Sequence, residues 1–324
     1  MANRLCETLK IKYPVIQGAM AWTSMAPLVA AVSKAGGLGV LGCGAMPPEV
    51  IIAQAAEIRK ITDNPIAANL FLDPTPFLEP SVQAIIDAKF DAVYIDTLNM
   101  LEEEFTSKYY NRFKEAGIKI IAKINYLEDA IVAAKCGADV IIAKGMEGGG
   151  HCTKISARVL LAECAEALPD MPLVASGGIA NARQAASMTV AGADGVEMGT
   201  AFIATLECPV HPNVKQAVVD AIDRDVVACG MSTGEPSWQL RNKLADEMLK
   251  MEAEMPWSEC ADDIRKISMG SLRAASMEGE VKERGAVLSG QVCGLIHDIV
   301  PVEDRVVKFC EDWDAYLKKS YSLF

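Results

Sequence analysis

Runs of apolar, often β-branched residues recur along the first two hundred positions, separated by stretches compatible with helix. The runs are Pro14–Gln17, Leu38–Leu41, Ile66–Leu70, Ala92–Ile95, Ile118–Ala122, Val140–Ala143, Pro172–Ala175 and Gly195–Met198. Continuous apolarity, rather than strict alternation, marks strands buried on both faces, as in a parallel sheet. Several are entered through glycine-bearing turns: Lys34-Ala35-Gly36-Gly37, Glu115-Ala116-Gly117, Lys135-Cys136-Gly137-Ala138-Asp139 and Val190-Ala191-Gly192-Ala193-Asp194. Glycine just past a helix takes the left-handed cap conformation that other residues avoid. Eight buried strands at intervals of about twenty to thirty residues predict an α/β fold, a (β/α)8 TIM barrel, with a doubly wound open sheet as the alternative.

A barrel carries its chemistry at the C-terminal strand ends. The residues there are polar or glycine: Gln17-Gly18, Asn69, Asp96, Lys123, Lys144, Ser176-Gly177-Gly178 and Gly199-Thr200. After Thr200 the rhythm stops. Residues 207–284 are more charged and helix-compatible, and predict a small helical insertion that covers the mouth of a barrel spanning 1–206. Residues 285–324 return to the barrel and end in a helix near Val302–Leu317.

Composition narrows the function. The 324 residues are 51% hydrophobic and 23% charged, ample for a large core. No stretch approaches the roughly 18 apolar residues of a membrane span. Met1–Cys6 lacks a leader pattern, so a cytoplasmic location with no membrane is expected. The net charge of −12, without any Lys/Arg run, argues against nucleic acid. An acidic protein partner would need a local basic patch, for which Arg241, Lys243 and Arg273 are the candidates. The 10 cysteines form no C-x-x-C pair or cysteine–histidine cluster, so no metal is expected.

Gly37-Leu38-Gly39-Val40-Leu41-Gly42 matches a dinucleotide fingerprint by letters, but it follows a helix and enters a strand, the reverse of what that motif requires. Lys144-Gly145-Met146-Glu147-Gly148-Gly149-Gly150-His151 follows the sixth strand. Consecutive glycines are tolerated where backbone passes close to something, so a flat ligand fits here, as does a flexible loop with a solvated histidine. Ser176-Gly177-Gly178 and Gly199-Thr200, after the seventh and eighth strands, suit a phosphate met by backbone N–H groups and helix N-termini. Cys152 next to His151 is a poor nucleophile–base pair, because adjacent side chains diverge. His211 and His297 read as structural or surface residues.

Pro14–Trp22, Val29–Gly39, Gly145–His151, Gly177-Gly178-Ile179 and Gly195–Thr200, in that order, resemble the FMN-dependent nitronate monooxygenase and enoyl-ACP reductase II family. Gln17–Trp22, Gly145-Met146-Glu147, His211-Pro212-Asn213 and Ser289-Gly290-Gln291 look nearer the enoyl reductase branch. The resemblance implies FMN at the barrel mouth. Gly18, Ala19 and Met20 would offer backbone to the ring, joined by Asn69, Lys123, Gly149 and Gly150, while Ser176, Gly177, Gly178, Gly199 and Thr200 would hold the phosphate. His151 matches the family's active-site histidine, and Lys144 is a second catalytic candidate at a position that usually carries glutamate or glutamine. Lys123 is a residue more typical of the nitronate branch. Either lysine has a structural alternative, an ion pair with Asp96 or Glu147.

The implied activity is NAD(P)H-dependent reduction of a 2-enoyl thioester through FMN N5, in fatty acid biosynthesis. His151 would polarise the carbonyl or help to protonate the α-carbon. The acyl carrier would be acyl carrier protein or CoA, with a homodimer left open as the assembly. The alternative is a nitronate monooxygenase that oxidises alkyl nitronates with O2. A barrel that binds a phosphorylated ligand without redox chemistry is a third reading.

Overall fold

The computed structural model describes residues 3–44, 46–96 and 99–321. Met1 and Ala2 of the N-terminal stretch considered above lie outside the described residues. Eight parallel strands form one sheet: β1 (Val15–Gln17), β2 (Gly39–Leu41), β3 (Ile66–Phe71), β4 (Ala92–Asp96), β5 (Lys119–Ile124), β6 (Val140–Lys144), β8 (Leu173–Ser176) and β9 (Gly195–Met198). A two-residue strand, β7 (Gly150–His151), interrupts the series. The pairing order β1-β9-β8-β6-β5-β4-β3-β2 closes through a parallel bridge between Ile16 and Leu38. The result is a (β/α)8 barrel, not an open doubly wound sheet.

Strand parity explains the layers. Odd and even positions point to opposite faces. Ile16, Val40, Ala67, Tyr94, Ile121, Ile142 and Val174 therefore fill the lumen, while their neighbours Val15, Leu41, Ala68, Val93, Ala122, Ile141 and Ala175 pack against the outer helices. The N-terminal helix Arg4–Leu9 sends Leu5 and Leu9 into the lumen cluster and closes its lower end. The lumen is thus solid below, and only the upper end is left for chemistry. Gly39 has no room for a side chain: a Cβ would stand 2.2 Å from the Val29 carbonyl oxygen. The letters of the dinucleotide fingerprint serve helix-on-strand packing here.

The chain leaves the barrel at Thr205 and returns at Val300, where the two segments form a parallel bridge. Between them lie the helices Pro212–Asp220, Lys243–Glu254, Trp257–Ser268 and Ser271–Glu278. Two strands not foreseen in the sequence, β10 (Val226–Cys229) and β11 (Ser237–Leu240), form an antiparallel ribbon that pairs with β7. Cys229, Leu244, Met248, Cys260 and Ile264 give this region a core of its own. A π-helical turn at Asp304–Lys308 runs into the helix Phe309–Tyr321, fixed to the barrel where Trp313 Nε1 donates to Thr189 Oγ1 at 3.0 Å. Among the described residues no helix is long and apolar enough to cross a membrane.

Candidate active site at the barrel mouth

The parity that fills the lumen also aims its polar residues. Asn69 follows Ala67 by two positions, Asp96 follows Tyr94, Lys123 follows Ile121, Lys144 follows Ile142 and Ser176 follows Val174. Together with Glu197 of β9 they line a cavity of about 280 Å³ at the barrel mouth, close to the lower end of the usual range for small-molecule sites.

Four charges from four strands form the cavity floor. Lys123 Nζ stands 3.3 Å from Glu197 Oε1 and 3.8 Å from Asp96 Oδ2. The same Glu197 oxygen accepts from Tyr94 Oη at 2.9 Å, while Glu197 Oε2 is buried without a hydrogen-bond partner among the described residues. Burial works to lower the Lys123 pKa, but the attractions of Glu197 and Asp96 together outweigh it, so the net shift is upward. Burial, helped by the Glu197 and Asp96 charges, drives the Tyr94 hydroxyl well above its ordinary range. Lys144 behaves oppositely: burial and the neighbouring Lys123 pull it down to about 8. Its ammonium donates to the His151 carbonyl oxygen at 2.7 Å. Of the ion pairs anticipated for the two lysines, Lys123–Asp96 forms. Glu147 takes no part in one, since its Oε2 accepts from the Ala157 N–H at 3.1 Å.

The glycine loop is held on both sides. Gly150 and His151 pair with Trp238 and Ser237 of β11, and His151 is half-buried, which disfavours a flexible loop with a solvated histidine. Burial and the Lys144 charge lower the His151 pKa, so its ring is neutral at neutral pH. Gly148 and Gly150 leave room where a side chain would go, but Gly149 answers to packing. A Cβ on Gly149 would lie 2.7 Å from the Gly290 nitrogen and 2.8 Å from the Ser289 carbonyl carbon, so returning backbone packs where a side chain would go. Gly199 is different: its nearest obstacle would be Met20 Sδ at 3.5 Å, which leaves a smooth patch of cavity wall.

Much of the backbone expected to face a ring is already engaged. The Gly18 N–H donates to Met198 O, and the Met20 N–H donates to Ser24 Oγ, whose hydroxyl donates to Gly18 O. Ala19 takes no part in these bonds. Gln17 is fully buried, and its amide joins β1 to the Val40 backbone and to Ser24, so it does not face the cavity. Gly177 and Gly178 take φ of +98° and +69°, and line the cavity with Ser176, Gly199 and Thr200. Of the two helix N-termini expected there, that of Ala182–Val190 is closed by its own capping box of Asn181 and Gln184. That of Thr200–Ile203, entered from Gly199, carries no side-chain cap. Thr200 Oγ1 accepts from the Gly290 N–H at 3.0 Å, which ties the returning segment to the floor.

Opposite the floor the cover is apolar. Ile203, Val214, Leu272, Ala275, Val287 and Leu288 line this wall. Sequence reasoning missed them, and it missed Glu197, whose only signal was a carboxylate inside the apolar run Gly195–Met198. The anticipated basic patch does not arise. Arg241 faces Asp246, Lys243 faces Glu283 and Arg273 faces Glu278. His211 caps the helix Pro212–Asp220 by accepting from the Asn213 N–H, and His297 is exposed. Burial raises the Cys152 thiol pKa, which disfavours a nucleophilic thiolate.

The model of the family described as nitronate monooxygenase matches residues 2–312. A "Probable nitronate monooxygenase" of Staphylococcus aureus (strain JH9) is 28% identical over 327 aligned positions, covering 89% of this chain and 91% of that protein. Among solved structures, FabK from Thermotoga maritima is similar with a TM-score of 0.92 and 34% identity, covering 100% of both chains. Nitroalkane oxidase from Streptomyces ansochromogenes follows with a TM-score of 0.80 and 25% identity, covering 99% of each.

Proposed function

The chain belongs to the nitronate monooxygenase family, and on that premise we propose an FMN-dependent oxidoreductase that uses NAD(P)H to reduce the double bond of a 2-enoyl thioester. The observation that carries this reading is the cavity's division into a charged floor and an apolar cover. Such a site suits an acyl chain above and a reacting carbonyl below. Lys123, the residue that would favour nitronate chemistry, already serves Glu197 and Asp96, which weakens that alternative.

Two features fit a flat, phosphate-bearing cofactor. Gly199 leaves a bare wall, and Glu197 Oε2 is a buried acceptor that a ligand N–H would satisfy. Asn69, Ala19, Met20, Gly149 and Gly150 would hold the ring, and Gly177, Gly178, Gly199, Thr200 and Ser176 the phosphate. FMN, when bound, supplies the two-electron chemistry between NAD(P)H and the acceptor. His151, neutral at pH 7, acts as a hydrogen-bonding group toward the acceptor carbonyl, not as a strong acid. Segment 207–284, together with Val287 and Leu288 beyond it, would serve as the cover that excludes water.

Anaerobic NADH or NADPH should bleach the FMN-loaded protein within seconds, and crotonyl-CoA should restore the colour. His151→Ala should retain flavin and lose turnover. Absence of bleaching, with turnover of an alkyl nitronate in air, would replace this reading by nitronate oxidation.

A further inference from the structure

Lys144 and Lys123 are equally buried, each 7% exposed. Lys123 has two carboxylates, whereas among the described residues none stands within 4.0 Å of the Lys144 ammonium. Among the described residues the one side-chain hydrogen bond of Lys144 goes to the His151 carbonyl, and an ammonium has three N–H groups. The charged and titratable groups that act on it are Lys123 on β5, Asp96 on β4, Glu197 on β9, and Cys152 and His151 at β7. Glu147, on the adjoining loop, is turned to the Ala157 N–H. A desolvated cation with donors to spare, lining a ligand cavity, is a receptor for an anion.

We propose that Lys144 is the oxyanion-binding group of the cavity. Its ligand is a planar, delocalised oxyanion: either a carboxylate, or the enolate oxygen of the 2-enoyl acceptor. The second source rests on the proposed function. Hydrogen with its electron pair, drawn from NAD(P)H, adds at the β-carbon. The C=C pair then shifts to the Cα–C bond, and the carbonyl π pair moves onto oxygen. Lys144 donates to that oxygen; the oxygen's pair then re-forms the carbonyl as the Cα carbon takes a proton from solvent water, which completes the saturated product. The charge exists only after addition begins, so the contact lowers the barrier rather than merely tightening binding.

The test is calorimetric titration of the FMN-loaded protein with butyrate and with its neutral isostere butyramide, in buffers of differing ionisation enthalpy. Lys144, held down at about 8, is mostly neutral at pH 9, and a bound anion would recharge it. Proton uptake should therefore be about 0.4 per site or more at pH 9, the amount that a tenfold coupling to a group at about 8 requires. His151, with its lowered pKa, titrates on the acid side and does not contribute there. Butyrate should bind about tenfold or more tightly than butyramide, as a charge-assisted hydrogen bond requires. Lys144→Gln should abolish both the preference and the uptake. Equal affinities, no uptake at pH 9, or uptake intact in the variant overturns the proposal. If the variant fails to fold, the proton count of the unaltered protein still decides.

Reoxidation by crotonyl-CoA separates the two sources. A roughly tenfold slower rate in Lys144→Gln, with binding little changed, assigns the enolate. An unchanged rate with butyrate binding lost assigns a carboxylate ligand. Failure of NAD(P)H to bleach the protein removes the proposed function but leaves the butyrate titration intact.

Discussion

The floor of the cavity and its cover are built by opposite means. The floor takes its side chains from strands held in register by their neighbours, so Asp96, Lys123, Lys144 and Glu197 are set by backbone pairing. The cover takes Leu272 and Ala275 from a helix and Val287 and Leu288 from an irregular segment, joined to the barrel by a two-residue strand and a few backbone bonds. A rigid scaffold can hold charges in low dielectric, where a misplaced partner is costly. An apolar cover tolerates looser placement because its attraction is non-directional. Precision therefore sits in the floor of the cavity and adaptability in its cover.

The sharpest way to break this comparison is within the floor itself. Lys123→Met would leave Glu197 and Asp96 buried without their cation, and should cost about 3–5 kcal/mol in urea unfolding at pH 7. Lys144→Met should do the reverse. The folded value of about 8 lies below the ordinary 10.5, so between these values the unfolded chain binds the extra proton and stability rises with pH. The penalty of roughly 3 kcal/mol is full below about pH 8 and gone above about pH 10.5. The variant should thus be more stable than the parent at pH 7 by up to that amount, and the gap should close in alkali. Two lysines of equal exposure on adjacent strands would then carry opposite signs. Equal signs would mean that their partners, not their burial, had been misjudged.

That contrast also marks what the chain discloses before it folds. Strand runs are legible because burial on both faces demands continuous apolarity, and parity then carries Asn69, Lys123 and Lys144 to the lumen. Glu197 is nearly silent, since one carboxylate in an apolar run does not announce Lys123 as its partner from 74 residues away. The strands β10 and β11 are short and have no hydrophobic period distinct from a helical one, so only their pairing with each other, and that of β11 with Gly150-His151, defines them. The capping box of Asn181 and Gln184 was readable by its spacing, and it closes one of the two helix ends that the glycines suggested, leaving the one at Gly199-Thr200 without a side-chain cap.

The seam between floor and cover is probed by two glycines. Gly149→Ala forces a methyl group against the Ser289–Gly290 backbone, and should cost about 1–3 kcal/mol and loosen the returning segment. Increased amide exchange at residues 287–292 would register it. Gly199→Ala meets only Met20 Sδ at 3.5 Å, so stability should change little while flavin retention falls. If both variants lose stability alike, the Gly199 wall is packing and not cradle.

The smallest effect belongs to the cover. Leu272 is half-buried on the cavity wall, and replacement by Ser removes apolar surface without stranding a charge. Urea stability should move by less than about 1 kcal/mol. In the parent, each methylene added to the acyl chain should lower KM about three- to fourfold until the wall is filled, the factor expected from about 0.8 kcal/mol per buried CH2. Leu272→Ser should flatten that dependence while kcat stays within about twofold, because the wall contacts the chain equally before and during reaction. Were kcat to fall with KM unchanged, the cover would be acting on the reacting carbonyl, and floor and cover would share the chemistry.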